Sequence, residues 1–276
     1  MSHGDLSFKQ LSVLSPRFPP ATIALPFKLP MLVPSSTVPV CVKDSIMEYF
    51  VAHDHVVPIS FGKSALQKID NVMFSNLSWA FDSKSIAEVT LTWHIATDIF
   101  QEGSSHTLST NAASFSMVAT GLSRYCAYLV VFHPEIMPEN QDNTERVVNL
   151  MKEELRESLG FLEFYFFGHA TRVKRIMQLM GKDSWTENKV VKNGVALGAS
   201  LLEKVFHDDG GGDDDDQLEM VWKMLANVWT ELMAYLVPST DEERLKGHEN
   251  ALVQGGDFIT VLWALSTHMG ISRQPV

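Results

Sequence analysis

Along most of the chain, apolar residues recur at three- and four-residue steps, the spacing that lines up one side of an α-helix. This pattern predicts helices over residues 84–101, 109–132, 145–160, 186–206, 217–237, 241–253 and 257–269. Over 217–237 the stripe is Leu218, Val221, Trp222, Leu225, Val228, Trp229, Leu232 and Leu236, and Pro238, which lacks an amide hydrogen, ends it. Thr240 and Glu243 stand at capping-box spacing, Gly255 or Gly256 can take a left-handed turn, and Asp257 can cap the next helix, so a C-terminal helical hairpin is expected. Strand-like alternation is confined to "VVPISF", residues 56–61, where Pro58 permits at most a small β element. The expected fold is all-α, an irregular bundle of about seven helices.

Two segments depart from the helical pattern. Residues 1–43 hold seven of the twelve prolines, with Lys9, Arg17, Lys28 and Lys43 against the single acid Asp5. Proline density of this kind predicts a disordered, extended arm that does not pack; its few acids and many serines would also suit an organelle transit peptide, the less favoured reading. Residues 207–217, "HDDGGGDDDDQ", join three glycines to six aspartates that repel one another, predicting a flexible acidic linker. A calcium loop would need spaced oxygen ligands closed by a bidentate glutamate, which this run does not supply. The expected organisation is therefore an arm at 1–43 and a helical domain at 44–271.

The stretch "LTWHIATDIF", residues 91–100, sets a histidine and an aspartate four apart among apolar neighbours. On a helix, Ile86, Val89, Trp93, Ala96 and Phe100 share one face and Leu91, Ile95 and Ile99 nearly the opposite one. Thr90, His94, Thr97, Asp98 and Gln101 are left in a polar strip between them. A helix apolar on two sides belongs in an interior, where a carboxylate must be paired or neutral. His94 and Asp98 can touch one turn apart, and the imidazole is the expected partner of the carboxylate. They are also the only candidate catalytic residues, with Asp98 orienting His94 as a general base, but the sequence nominates no nucleophile to complete such a site. No further ligand at helical spacing suggests a metal, and no cofactor motif is present.

Charge and smaller motifs narrow the classes further. A net charge of −11 argues against binding nucleic acid, which requires clustered cations to displace phosphate counterions. Cys41 and Cys126 are the only cysteines, so there is neither a disulfide framework nor a CxxC zinc pair. "FGKSAL" resembles the tail of a phosphate-binding loop, but Val57 stands where the first glycine belongs. Asn76-Leu77-Ser78 reads as a chance sequon. His133 and His268 read as interior or boundary histidines, and Met220, Met224 and Met233 as packing residues. "TERVVNLMKEELRES" mixes acids and bases on its polar face, as a solvated helix does. "YCAYLVVF" is cut short by His133 and Pro134, below the ~20 apolar residues of a spanning helix.

Four stretches, "FDSKSIAEVTLTWHIATDIF", "LSRYCAYLVVFHPEIMP", "VWKMLANVWTELMAYLVPS" and "ALVQGGDFITVLWALSTHMGI", resemble in order the motifs of a plant family catalogued as domain of unknown function 594. The resemblance covers roughly residues 80–271. It implies a domain that usually follows a multi-helix membrane region, catalogued as domain of unknown function 4220, which the first eighty residues here do not resemble. It carries no established activity and no catalytic residue. The expected function is a noncatalytic helical module that binds a protein partner, such as a membrane-anchored relative, or regulates an assembly. The alternative is an enzyme of unrecognised type centred on His94 and Asp98. A cytoplasmic location without direct membrane insertion is expected, with membrane association as in full-length relatives, or a plastid, as the alternatives.

Overall fold

The computed structural model describes residues 6–15, 32–53, 57–68, 75–104, 108–160, 167–179, 190–206, 214–238 and 258–273. In chain order the elements are strands β1 (Ser7–Lys9) and β2 (Ser35–Thr37), then helices α1 (Val40–Ala52), α2 (Lys63–Lys68), α3 (Ile86–Gly103), α4 (Thr110–Phe132), α5 (Gln141–Leu159), α6 (His169–Leu179), α7 (Val190–Phe206), α8 (Asp214–Leu236) and α9 (Phe258–His268), with 3₁₀ turns at Ser75–Phe81 and Pro134–Ile136. The fold is all-α, a helical bundle carrying one two-stranded antiparallel sheet. Nine α-helices lie among the described residues: six of the seven expected, with α1, α2 and α6 added. The added ones escape a stripe search for a reason. Helix α1 buries Val42, Ile46 and Phe50 but leaves Val40, Met47 and Val51 exposed beside Lys43, Asp44 and Glu48, α2 has six residues, and α6 buries Val173 and Ile176 in only eleven residues. The expected helix 241–253 and its capping residues lie outside the described residues.

Helix α3 is the centre. Ser85 caps it by accepting from the Glu88 N–H, and every residue from Val89 to Phe100 is buried. Its two apolar faces serve two neighbours. Ile95 and Ile99 meet α7 at Gly194 and Gly198, where an added Cβ would stand 2.7 Å from Ile95 Cβ and 2.9 Å from Ile99 Cβ, so only glycine lets the two backbones approach this closely. On the other side Trp93 stacks on Phe81 with ring centroids 4.8 Å apart, and Phe100 meets Trp222 of α8 at 4.9 Å. The whole expected stripe of α8 is buried. Met224 and Met233 pack with it, but Met220 is 40% exposed, contrary to the expectation that it fills core.

Helix α4, capped by Ser109, lies between α3, α8 and α1. By length and composition alone it is apolar enough to cross a membrane; here about half of it is buried inside the bundle. The stretch 56–61 contributes one parallel bridge, Ile59 to Arg273, a minimal β element.

The arm expected to stay unpacked is corrected in its described parts. Phe8, Leu11, Val13, Leu14, Val38 and Val42 are all buried, and β1 pairs with β2 in the register Ser7–Thr37, Phe8–Ser36, Lys9–Ser35. Proline excludes helix but not an extended strand on an apolar surface. Residues 16–31 lie outside the described residues. The acidic linker is corrected at its end, since α8 begins at Asp214; Asp215 and Asp216 fall in its first turn, where the helix dipole favours negative charge.

Candidate functional site

His94 and Asp98 are 0% and 1% exposed, and their Nε2 and Oδ2 atoms stand 3.7 Å apart. That is too long for a hydrogen bond. The expectation that the imidazole donates to the carboxylate is therefore corrected. Nε2 of His94 accepts from the Val13 backbone N–H at 3.1 Å, which assigns the ring proton to Nδ1, and Nδ1–H donates to Ser123 Oγ at 2.8 Å. Asp98 Oδ2 accepts from Ser12 Oγ, while Oδ1 faces the Arg124 Nε at 3.8 Å. Arg124 in turn donates to Gln101 Oε1 at 2.9 Å. Burial pushes the His94 imidazole down to about 4; Asp98 opposes the shift, and Arg124 and His169 reinforce it. Burial favours the neutral ring, and its lone pair is engaged by the Val13 amide.

Thr97 and Gln101 of the polar strip are engaged too. Thr97 Oγ1 donates to Trp93 O at 2.8 Å and accepts from the Trp229 indole at 2.9 Å, tying α8 to α3. Thr90 Oγ1 is the member of the strip that finds no partner among the described residues. A cavity of about 230 Å³ opens beside the cluster, lined by Gln10, Ser12, Ser15, Leu32, Arg124 and His169 among others, and neither His94 nor Asp98 lines it.

Three buried or half-buried glutamates that sequence reasoning did not single out serve one purpose: each caps the start of a helix from another element. Glu139 accepts from the Ala87 N–H at 2.7 Å and the Ser85 hydroxyl at 3.2 Å, at the start of α3. Glu154 of α5 accepts from the Val191 and Lys192 N–H groups, both at 2.9 Å, at the start of α7. Glu231 of α8 accepts from Ser60 Oγ at 2.6 Å, from the Ser64 N–H at 3.3 Å and from Ser64 Oγ, at the start of α2. The first N–H groups of a helix have no internal partner and favour negative charge, so a carboxylate there is well placed. Burial nonetheless outweighs the two amide donors at Glu154 and pushes it up to about 7. Burial, with Glu231 nearby, also raises the Tyr49 phenol.

These contacts settle several smaller motifs. Ser64 of "FGKSAL" donates to Glu231 and Lys63 pairs with Asp82 at 3.3 Å, so both polar side chains of the segment have partners within the protein. His133 is held by Tyr128 at 2.9 Å and Glu135 at 3.1 Å, whereas His268 is exposed rather than interior. Glu154 departs from the solvated face expected of its helix. Among the described residues no group of three or more His, Cys, Asp or Glu side chains is placed to hold a metal ion.

Helices α8 and α9 fall within residues 214–271, which match the family described as "Protein of unknown function, DUF594". The similarity is found over this C-terminal stretch, well under half of the chain. Its Trp229 reaches Thr97 on the helix that bears His94, so the DUF594 segment helps enclose the polar strip. No curated protein and no solved structure matches the chain.

Proposed function

We propose that this DUF594-bearing chain is a noncatalytic helical interaction or regulatory module whose ligand is a protein. The observation that carries the reading is the double engagement of His94: one ring nitrogen accepts from Val13, the other donates to Ser123, and both His94 and Asp98 are sealed from solvent. A general base needs a free lone pair within reach of a substrate, and here that lone pair organises the N-terminal segment. Exposed apolar residues on α1 (Val40, Met47 and Val51) give the surface somewhere to meet another protein. A cytoplasmic protein of plant origin, reaching membranes only through a membrane-anchored relative with the same domain, fits the acidic balance of −11, which anionic lipid would repel.

The test pairs capture with turnover. The tagged chain should retain a stoichiometric protein partner. Turnover of a small molecule by the purified chain, abolished by His94→Gln while circular dichroism and melting stay intact, would overturn the reading in favour of an enzyme centred on His94 and Asp98.

A further inference from the structure

We infer that β2, α3, α4, α6 and the start of α9 form an acceptor groove for an extended peptide, that residues 6–15 are its replaceable occupant, and that the exchanging partner is the same segment of a second copy of this chain. The inference deepens the interaction-module reading by naming the surface and the ligand.

The groove reads its occupant in the two ways a peptide site does, by backbone bonds for affinity and side-chain anchors for register. On one edge β1 adds to β2 as an antiparallel strand, and the ladder is extended by the Val38 N–H to Leu6 O and the Gln10 N–H to Pro34 O, both 2.8 Å. Beyond the ladder the segment crosses onto helices. Helix α4 takes the Leu11 N–H on Arg124 O at 3.2 Å, and the Gln10 side chain on Gly121 O at 3.2 Å. Helix α3 takes the Val13 N–H on His94 Nε2 and the Ser12 hydroxyl on Asp98. Helix α6 donates Arg172 Nη1 to Leu14 O at 3.1 Å. A carbonyl on α4 keeps a second lone pair after its own helical bond, and three helices binding one extended segment, α4 through carbonyls and α3 and α6 through side chains, is the geometry of a binding site.

The anchors are equally specific. Phe8 enters an aromatic niche, 5.7 Å from both the Tyr125 and Phe258 rings, above Gly121, where an added Cβ would sit 3.2 Å from its ring. Leu11, Val13 and Leu14 follow it into the interior. Residues 16–31, which join the segment to β2, contain five prolines and predict no helix. The segment's described bonds and anchors depend on its own residues 6–14, so the same peptide from another molecule can reproduce every one of them; this is the condition for exchange between copies. Tethering gives the cis segment a millimolar-scale local concentration, so exchange favours high chain concentration.

The test uses the full chain with a protease site placed within residues 16–31, cut after folding, and a fluorescent peptide of residues 4–15 as the probe. The cut fragment should remain bound until excess probe replaces it, raising probe anisotropy, and a Phe8→Ala probe should compete at least about tenfold more weakly. Uncut chains bearing two different tags should co-purify after incubation at high concentration, and excess probe should separate them. The inference is overturned by a cut fragment that never exchanges, by a body that unfolds when the fragment leaves, by a folded body that takes up no probe, or by tagged copies that never co-purify. Exchange accompanied by His94-dependent turnover would sink the noncatalytic reading and leave the groove standing.

Discussion

His94 and Asp98 stand one helical turn apart on α3 and hold adjacent residues of the same distant segment, Val13 and Ser12, rather than each other. The pair is a clasp for the N-terminal segment. Asp98→Ala removes the acceptor for Ser12 and leaves the Arg124 guanidinium facing an emptied, buried position. The expected loss is ~1–3 kcal/mol, the range for a buried polar partner left unsatisfied. Denaturant unfolding measures it; a variant as stable as the parent would show that the carboxylate contributes nothing to the fold.

The clasp also sets a pH dependence. His94 titrates at about 4 in the folded protein and at 6.5 once unfolding returns it to water, so between these values the unfolded chain binds more protons. Stability from the neutral ring is complete above pH 6.5 and is lost as pH falls through 4, to a total of about 3 kcal/mol. Protonation would also turn Nε2 from an acceptor into a donor facing the Val13 N–H. Glu154 runs the other way: raised from 4.5 to about 7, it makes the fold most stable below pH 4.5 and progressively less so as pH rises through 7. The parent should therefore show a shallow net slope between pH 4.5 and 6.5. His94→Gln should unmask the falling Glu154 limb, and Glu154→Gln the rising His94 limb. Urea titrations at several pH values check both, and identical profiles for parent and variants would refute the assignment.

The parts of this fold that were legible in sequence are those whose packing partners repeat at helical spacing. The α8 stripe from Leu218 to Leu236 and the two-sided apolar pattern of α3 predicted burial, and both are buried. The partners of His94 could not be read this way, because Val13 lies 81 positions away and its contact is a backbone amide, invisible to any residue pattern. A signal did exist in the arm: Phe8, Leu11, Val13 and Leu14 are bulky and closely spaced, unlike the residues of a solvated leader. Glu154 was similarly readable. It falls between Met151 and Leu155 on the apolar side of α5, where a carboxylate must have found a donor.

The contact of α3 with α7 depends on the absence of side chains. Gly194→Ala adds a Cβ 2.7 Å from Ile95 Cβ and 3.1 Å from the Thr92 carbonyl oxygen. Alanine improves helix propensity by about 1 kcal/mol over glycine, but overpacking against a β-branched side chain and a backbone atom costs more, so a net loss of about 1–2 kcal/mol is expected. Ile95→Ala should be strongly destabilising alone and should lessen the penalty of Gly194→Ala in the double variant. A thermal-melting cycle measures the coupling. Strict additivity would mean that the helices are not in contact at this point.

The acidic run and the helix that follows it should respond oppositely to deletion. Residues 207–213 join α7 to α8, and removing Gly211 and Gly212 alone shortens this connection only modestly, where closure entropy changes by about 0.6 kcal/mol per twofold change in length. Helix α8 is another matter, because it buries Trp222, Trp229, Leu225 and Leu232 against the body and donates the Trp229 indole to Thr97. Ending the chain at residue 213 would expose the facing surfaces of α3 and α4, including Phe100 and Cys126, whose thiol donates to Met233 at 3.8 Å. Burial of one large side chain contributes about 1.5–3 kcal/mol, so loss of the α8 stripe exceeds the roughly 5–15 kcal/mol by which a domain is stable. The internal deletion should melt within a few degrees of the parent, while the truncated chain should aggregate or lose its cooperative transition. A truncated chain that elutes as a monomer and melts cooperatively would show that the DUF594 segment and the preceding helices fold as independent units.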